Sequence, residues 1–202
     1  MFNFKDVDRS MLMKLVILHV AVIVVSNALV GIPVEIFGVK LTWAAFTFPL
    51  VVIATDLTVR LLGKQIARST IAVAYPFAII GSIAVVLLEG APTSVALRIG
   101  FASATAYAIG TMLDVYVFQH IREKWSNNWW LAPAVSTVAA NIIDTYTFFF
   151  TAFSGSANEY MAANWMEIAG SQTILKIFVG LIIFLPAYGV LLNKLQKKYK
   201  VK

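Results

Sequence analysis

The sequence predicts an all-α integral membrane protein with six transmembrane helices and both termini in the cytoplasm. Of its 202 residues, 60% are hydrophobic and only 13% are charged, whereas soluble globular domains carry about 25% charged residues. The mean hydropathy of +0.82 agrees with this class. A spanning helix needs ~20 mostly apolar residues, and the chain contains six such stretches. We therefore expect a single six-helix domain over residues 1–202.

The six predicted spans follow one another with short polar connections. They cover about 12–31, 41–63, 69–88, 95–121, 129–153 and 171–193. The first is interpreted as an uncleaved span, because its apolar run is too long for a signal-peptide core and lacks a small-residue cleavage site. The second contains Pro49, which removes a helix hydrogen bond and is expected to kink the span.

The later spans carry signals of their own. No charged residue occurs from Ser69 to Leu88. The fourth span contains GFASATAYAIG, in which small residues recur every four positions and permit close helix packing. Trp129 and Trp130 open the fifth span, at the depth where interfacial aromatic residues collect. The sixth span follows the longest predicted external connection, residues 154–170.

The distribution of Lys and Arg predicts the orientation. These residues concentrate in both terminal tails and in the second-to-third and fourth-to-fifth connections, whereas the remaining connections hold only Lys40. Cytoplasmic loops carry such an excess, so both termini should be cytoplasmic. The net charge of +6 lies beside apolar stretches, which favours contact with the lipid bilayer over contact with nucleic acid.

The sequence contains none of the usual catalytic or nucleotide-binding signatures. The absence of Cys excludes disulfides and thiolate metal sites. GxxxxGK[ST], HExxH and GxSxG are also missing. We therefore predict no enzyme activity, no metal and no cofactor, and any use of ATP would belong to a partner.

Six Asp, Arg and Lys residues lie inside the second, fourth, fifth and sixth predicted spans and point to a solute or ion path. A charge there costs at least ~2.5 kcal/mol on insertion scales, so each must face protein or water. Position along each helix gives its depth and separates two layers. The inner layer holds Asp56, Arg60 and Asp114; the outer layer holds Arg98, Asp144 and Lys176, with Asn141.

The inner residues are candidates for a structural ion pair or for gating. Asp56 and Arg60 are four residues apart on one helix face and can pair. Asp114 lies at the same level. The structural role and a role in gating or ion coupling both remain open for these three residues and for Arg98.

The outer residues suggest a ligand site. Thr137, Asn141, Asp144, Thr145 and Phe148 form one stripe on the fifth span. A carboxylate beside a carboxamide suits a neutral ligand rich in N–H donors. The alternative is that Asp144 only neutralises Lys176 or Arg98. Trp43 and Phe46, at the outer end of the second span, are candidates for stacking on a flat ring.

Long blocks of the chain resemble a known family. They are TWAAFTFPLVVIATDLTVRLLGKQIAR, MLDVYVF, WWLAPAVSTVAANIIDTYTFFFTAF, NWMEIA and FLPAYGVLLN. In this order they resemble the bacterial queuosine precursor transporters of the vitamin uptake transporter group. The resemblance implies import of 7-cyano-7-deazaguanine across the inner membrane for tRNA queuosine synthesis, with its 7-aminomethyl relative as an open second substrate. It also implies a six-helix fold like the substrate-binding component of energy-coupling factor transporters.

The resemblance extends to individual residues. The family blocks include Asp56, Arg60, Asp114, Asn141, Asp144, Trp165 and Glu167. A deazaguanine presents a ring N–H and an exocyclic amine, which Asp144 would accept, while Asn141 would meet the carbonyl. Trp43 or Phe46 would stack on the ring, and Glu167 is the rival carboxylate. Lys176 is also predicted to bind the substrate.

Other functions remain open from sequence. The chain could be a capture subunit for another vitamin or nucleobase-like heterocycle that needs a separate ATP-driven energising module. An intramembrane enzyme and an ion channel or structural subunit are further alternatives. Energy could come from protons, a partner ATPase or metabolic trapping, and the small-residue ridges permit a homo-oligomer.

Overall fold

The computed structural model describes residues 8–30, 33–36, 39–47 and 49–199, and it confirms the all-α membrane class. Gly31, the predicted end of the first span, lies outside these residues, as do residues 1–7 and 200–202 of the predicted domain. The elements are α1 (Arg9–Val30), β1 (Pro33–Ile36), β2 (Val39–Thr42), α2 (Ala44–Thr47), α3 (Pro49–Leu62), α4 (Lys64–Leu88), α5 (Thr93–Lys124), α6 (Leu131–Phe153), α7 (Glu159–Val179), a π-helical segment (Gly180–Phe184) and α8 (Leu185–Tyr199).

Four helical stretches of the described chain are long and apolar enough to cross a membrane. They are Arg9–Leu29, Lys64–Leu88, Thr93–Lys124 and Glu159–Lys198. The last runs through α7, the π-helical segment and α8 without a break. Helix α6 has 23 residues, or about 35 Å of length, but its polar stripe lowers its hydropathy. Six spans and cytoplasmic termini stay predictions.

The predicted second span is divided into three elements. Strands β1 and β2 pair antiparallel, with Val34 opposite Leu41, so the start of the predicted span belongs to a hairpin. The expected kink at Pro49 is wrong, because Pro49 begins α3 at a position where its missing N–H is not needed. Helix α3 has 14 residues and reaches only ~21 Å.

The predicted connection over residues 154–170 is mostly helical. The Asn158 side chain caps α7 by accepting a hydrogen bond from the N–H of Met161 at 3.1 Å. Helix α7 begins at the next residue, Glu159. The following residues include three alanines and no proline or glycine before Gly170, which favours helix. Only a few residues therefore connect α6 to α7.

The π-helical segment has a local cause in the sequence. Pro186 has no N–H, so the carbonyl four residues earlier, that of Ile182, loses its usual partner. The N–H of Leu185 bonds instead to the carbonyl of Gly180, five residues back. Such wide turns are frequent at functional sites.

Small residues let the central helix α5 lie close to its neighbours α4 and α6. A Cβ added at Gly110 would lie 2.9 Å from the Cβ of Asp144, and one added at Gly100 would meet the backbone of Ile83. The ridges of small residues thus serve packing. Helix α1 is tied to α5 by a 2.9 Å hydrogen bond between Nδ1 of His19 and the hydroxyl of Tyr107.

Candidate functional site

Helix α6 carries four buried polar side chains. Ser136, Asn141, Asp144 and Thr145 are each at most 4% exposed. Asn141, Asp144 and Thr145 belong to the stripe that the sequence predicts, whereas Ser136 precedes Thr137, the first residue of that stripe, and lies outside it. Helices α3, α5 and α7 and the π-helical segment pack around α6. The stripe therefore faces protein rather than lipid.

The outer part of the stripe contains a buried ion pair. Nζ of Lys176 on α7 lies 3.1 Å from Oδ2 of Asp144 and 3.2 Å from the hydroxyl of Thr145. Asp144 is thus neutralised by Lys176, one of the two partners considered from sequence. A buried pair adds little net stability, because desolvation offsets the attraction. Its presence alone is compatible with a ligand role.

Asn141 presents an unused acceptor next to this pair. Its Nδ2 donates to the carbonyl of Thr137 at 2.9 Å. Its Oδ1 is buried and has no hydrogen-bond partner in the described chain. Since buried polar atoms normally have partners, the free oxygen suits a ligand N–H. Asn141 therefore offers an acceptor rather than the donor expected for a ligand carbonyl.

Near the start of α6, Ser136 lies beside two further carboxyl groups. The hydroxyl of Ser136 donates to Oδ1 of Asp56 at 3.3 Å. Asp56 and Asp114 are 2% and 0% exposed, and their carboxyl groups are close enough to interact directly. Neither oxygen of Asp114 receives a hydrogen bond from another described group. No group of three or more potential metal ligands occurs among the residues that the structure describes.

The predicted pairing of Asp56 with Arg60 is wrong. Within the described chain no ion pair joins them, and Asp56 instead faces Ser136 and Asp114. Arg60 lies one turn further along α3, at the wall of an open cleft. A guanidinium is better hydrated in this cleft than inside the bundle, which explains why Arg60 does not pair with Asp56.

Arg98 also differs from the expected arrangement. Its Nε donates to the carbonyl of Thr151 at 3.1 Å and its Nη1 to that of Gly155 at 3.4 Å. Its Nη2 donates to the carbonyl of Ser154. These carbonyls lie at the C-terminal end of α6, where cations bind favourably. Arg98 caps a helix and does not pair with Asp144.

A cavity of about 10 Å³ lies between α3, α6, the π-helical segment and α8. This volume holds roughly one water. Asp56, Thr137, Gly180 and Tyr188 contribute to its wall. The Tyr188 hydroxyl is buried, and no described group bonds to it. The conformation is therefore closed at this level to a molecule as large as a bicyclic base.

A wider cleft of about 530 Å³ lies at the turn between α3 and α4 and the end of α5. Its wall includes Arg60, Lys64, Arg122 and Glu123. Nη1 of Arg122 donates to the carbonyl of Arg60 at 3.4 Å. Since Arg60 follows Asp56 by four residues, only about 6 Å of helix separates it from the inner carboxyl pair.

The remaining residues predicted to bind substrate are Trp43, Phe46 and Glu167. No described contact connects them to the buried polar residues of α6. The rings of Trp43 and Phe46 lie together, 5.7 Å between centroids, and Trp43 is 48% exposed. Glu167 is exposed on α7, nine residues before Lys176 and hence about 13 Å away along the helix. It does not share the burial of Asp144.

Comparison with known proteins identifies the family. Residues 42–191 match the family described as "Putative vitamin uptake transporter". The chain belongs to the vitamin uptake transporter family. Its membership confirms the resemblance found in the sequence blocks, and the apolar helices make it a multi-pass membrane transporter of a small molecule.

Curated relatives of this uptake transporter carry a more specific name. A "Queuosine precursor transporter" of Escherichia coli K12 is 45% identical over 89% of this chain and 86% of its own. A "Probable queuosine precursor transporter" of Haemophilus influenzae is 35% identical over 91% and 87%. One of Bacillus subtilis is 28% identical over 82% and 78%. No solved structure matches, so the likeness to energy-coupling factor components stays a prediction.

Sequence reasoning missed three buried hydroxyls of this uptake transporter. Ser136 bonds to Asp56, Tyr188 lines the small cavity, and the Thr173 hydroxyl on α7 has no described partner. Each is an uncharged polar residue inside a predicted apolar span. A hydroxyl inside an apolar span is visible in the sequence, but a search limited to ionisable residues does not find it.

Proposed function

We propose that this transporter imports queuosine precursors, with 7-cyano-7-deazaguanine as the primary substrate and its 7-aminomethyl relative as a second. The names of its relatives support the substrate class. The observation that carries the proposal is the buried pair of Lys176 and Asp144 beside the free Oδ1 of Asn141. The cell inner membrane is the expected location, with both termini in the cytoplasm.

The polar groups complement the edge of a guanine-like base. Such an edge offers a ring N–H and an exocyclic amine as donors and a carbonyl as acceptor. Asp144 would accept from the donors, Lys176 would donate to the carbonyl, and Oδ1 of Asn141 would accept a further N–H. Because 7-cyano-7-deazaguanine is neutral, the pair keeps its charge balance when this base binds.

We place the aromatic residues at the entrance. Helix α2 packs against α7, and the adjoining rings of Trp43 and Phe46 give a flat base a surface for stacking. Glu167, exposed on the same α7, would supply a second carboxylate at this entrance. These roles follow from chemistry and position along the elements.

The cleft at the α3–α4 turn would be the exit. Its volume of about 530 Å³ has room for a bicyclic base, and its lysine and arginine residues favour the cytoplasmic side. Between the binding pair and this cleft lies the cavity of about 10 Å³. Passage would require α3, α6 and the π-helical segment to separate there.

The test is queuosine in tRNA from a bacterium that cannot make deazaguanines and lacks its own transporter. Cells expressing the chain and supplied with nanomolar 7-cyano-7-deazaguanine should regain queuosine. Asp144→Asn should abolish recovery, whereas Glu159→Gln, at the exposed start of α7, should not. Failure of the wild-type chain, with the protein confirmed in the membrane, would contradict the proposal.

The same assay separates import by this chain alone from capture for an ATP-driven module. Recovery in a host that also lacks energising modules for vitamin uptake would support transport by the chain itself. Recovery only when such a module is supplied would support a capture subunit for this precursor. No recovery even with a module would favour a capture subunit for another vitamin or nucleobase-like heterocycle.

A further inference from the structure

We propose that Asp56 and Asp114 together carry a proton that couples substrate import to the proton gradient. The inference rests on the proposed transport function and extends it to the energy source. It concerns a centre distinct from the pair of Lys176 and Asp144.

The geometry brings two carboxyl groups together without a cation. Asp56 on α3 and Asp114 on α5 are 2% and 0% exposed and interact directly. Ser136 on α6 donates one hydrogen bond, to Asp56 at 3.3 Å. Among the described groups nothing donates to Asp114. A proton on one of the two acids would let them share a hydrogen bond, which two carboxylates cannot form because neither has a donor.

The charged and titratable groups around the pair do not replace that proton. Arg60 on α3, Arg122 on α5 and Tyr188 on α8 are its neighbours. In the described chain neither arginine forms an ion pair with the two acids, and both line the open cleft. Two adjacent buried carboxylates would repel and would each bear the cost of burial. By contrast, Asp144 is balanced by Lys176.

A route for the proton adjoins the pair. Asp56 and Tyr188, whose hydroxyl has no hydrogen-bond partner in the described part of the chain, line the same cavity. Its volume of about 10 Å³ accommodates roughly one water. Arg60, one turn along α3, borders the open cleft. A hydroxyl and one water can pass a proton from Asp56 towards the cleft.

The substrate site and the proton site share α6. Ser136 and Asp144 are eight residues apart, which places the two centres about 12 Å apart along the helix. The protonated pair lets α3, α5 and α6 pack together. Loss of the proton leaves two facing charges that push α3 and α5 apart. Substrate binding and proton release thus both act on the packing of α6. Coupling requires such a shared element, because each event must change the same conformational equilibrium.

The experiment uses the full chain in proteoliposomes with 7-cyano-7-deazaguanine. An imposed gradient, acid outside, should drive accumulation at least tenfold above the level without a gradient, and a protonophore should abolish it. Substrate addition should also make a lightly buffered external medium more alkaline. Accumulation that ignores the protonophore, or that follows a sodium gradient instead, would overturn the inference.

Variants separate coupling from binding. Asp56→Asn and Asp114→Asn should keep substrate counterflow but lose at least tenfold of the gradient-driven accumulation, whereas Glu159→Gln should keep both. Gradient-driven accumulation by both Asn variants at the wild-type level would overturn the inference. Absence of counterflow in the wild-type chain would instead overturn the proposed function, and with it this extension. The alkalinisation measurement needs no variant and therefore does not depend on how the variants fold.

Discussion

Lys176 on α7 places its ammonium nitrogen 3.1 Å from Oδ2 of Asp144 on α6. The contact therefore joins α6 to α7, the helix that follows it after a short connection. Both side chains are largely buried. Whether this contact is a binding group or only a packing device is decided by separating its effect on stability from its effect on ligand binding.

Asp144→Asn should abolish substrate binding and lower stability. Removing one member of a buried ion pair leaves the other charge uncompensated, which typically costs about 3–5 kcal/mol. Thermal unfolding in detergent and equilibrium binding of 7-cyano-7-deazaguanine measure the two effects. The double variant Asp144→Asn/Lys176→Met removes both charges, so it should regain stability but not binding. Normal binding by either well-folded variant would exclude Asp144 from the site.

Asn141→Leu should weaken substrate binding about tenfold, because losing one hydrogen bond to the ligand costs roughly 1.4 kcal/mol of binding free energy. It should not lower the stability of the protein. Oδ1 of Asn141 is buried and has no partner among the residues that the structure describes, and an apolar side chain of similar size avoids the cost of such an atom. Ile142→Leu, on the exposed side of the same helix, is the control. A large drop in melting temperature with unchanged affinity would indicate a purely structural Asn141.

Gly110→Ala should destabilise the protein by about 1–3 kcal/mol, because overpacking forces helices apart. The added Cβ would lie 2.9 Å from the Cβ of Asp144, whereas one at Gly170 would lie 3.4 Å from the Tyr146 hydroxyl. Gly170→Ala is therefore the milder control. Since α5 presses on the residue proposed to bind substrate, Gly110→Ala should also reduce affinity. Equal effects of the two substitutions would contradict the close approach of α5 and α6.

Arg98→Gln should reduce thermal stability, by about 1–2 kcal/mol for a helix terminus that loses its cation, while folded protein keeps its substrate affinity. The reason is that Arg98 bonds to three carbonyls at the end of α6. Arg98→Lys should recover only part of the stability, because one ammonium cannot reproduce the planar fork. Loss of affinity in fully folded protein would assign Arg98 to gating.

The helices that sequence predicts well are those defined by hydropathy alone. The ends of α4, α5 and α6 and the starts of α5 and α6 fall within three residues of the expected spans, whereas α4 begins five residues early. The break before α3 and the helical course of residues 159–170 were not predicted, because hydropathy does not report backbone hydrogen bonding. The π-helical segment was not predicted for the same reason, although Pro186, which causes it, can be seen in the sequence.

Periodicity predicted the polar stripe of α6, but it did not predict which charges pair. Asp144 could have met Arg98 or Lys176, and only the relative heights of three helices decide between them. Asp56 had Arg60 on its own helix, yet its burial against α5 and α6 outweighed that short spacing. Partner choice thus depends on packing between helices, which the pattern within one helix does not contain.

The π-helical segment sets the alignment of the long helix that contains it. Tyr188 follows Lys176 by twelve positions. In an uninterrupted α-helix, twelve steps would turn the two side chains about 120° apart. A π-helical bulge absorbs about one residue, and the eleven that remain make close to three full turns. The outer ammonium and the inner hydroxyl consequently point the same way, so a single rotation of this helix would swing both out of register with α6 at once.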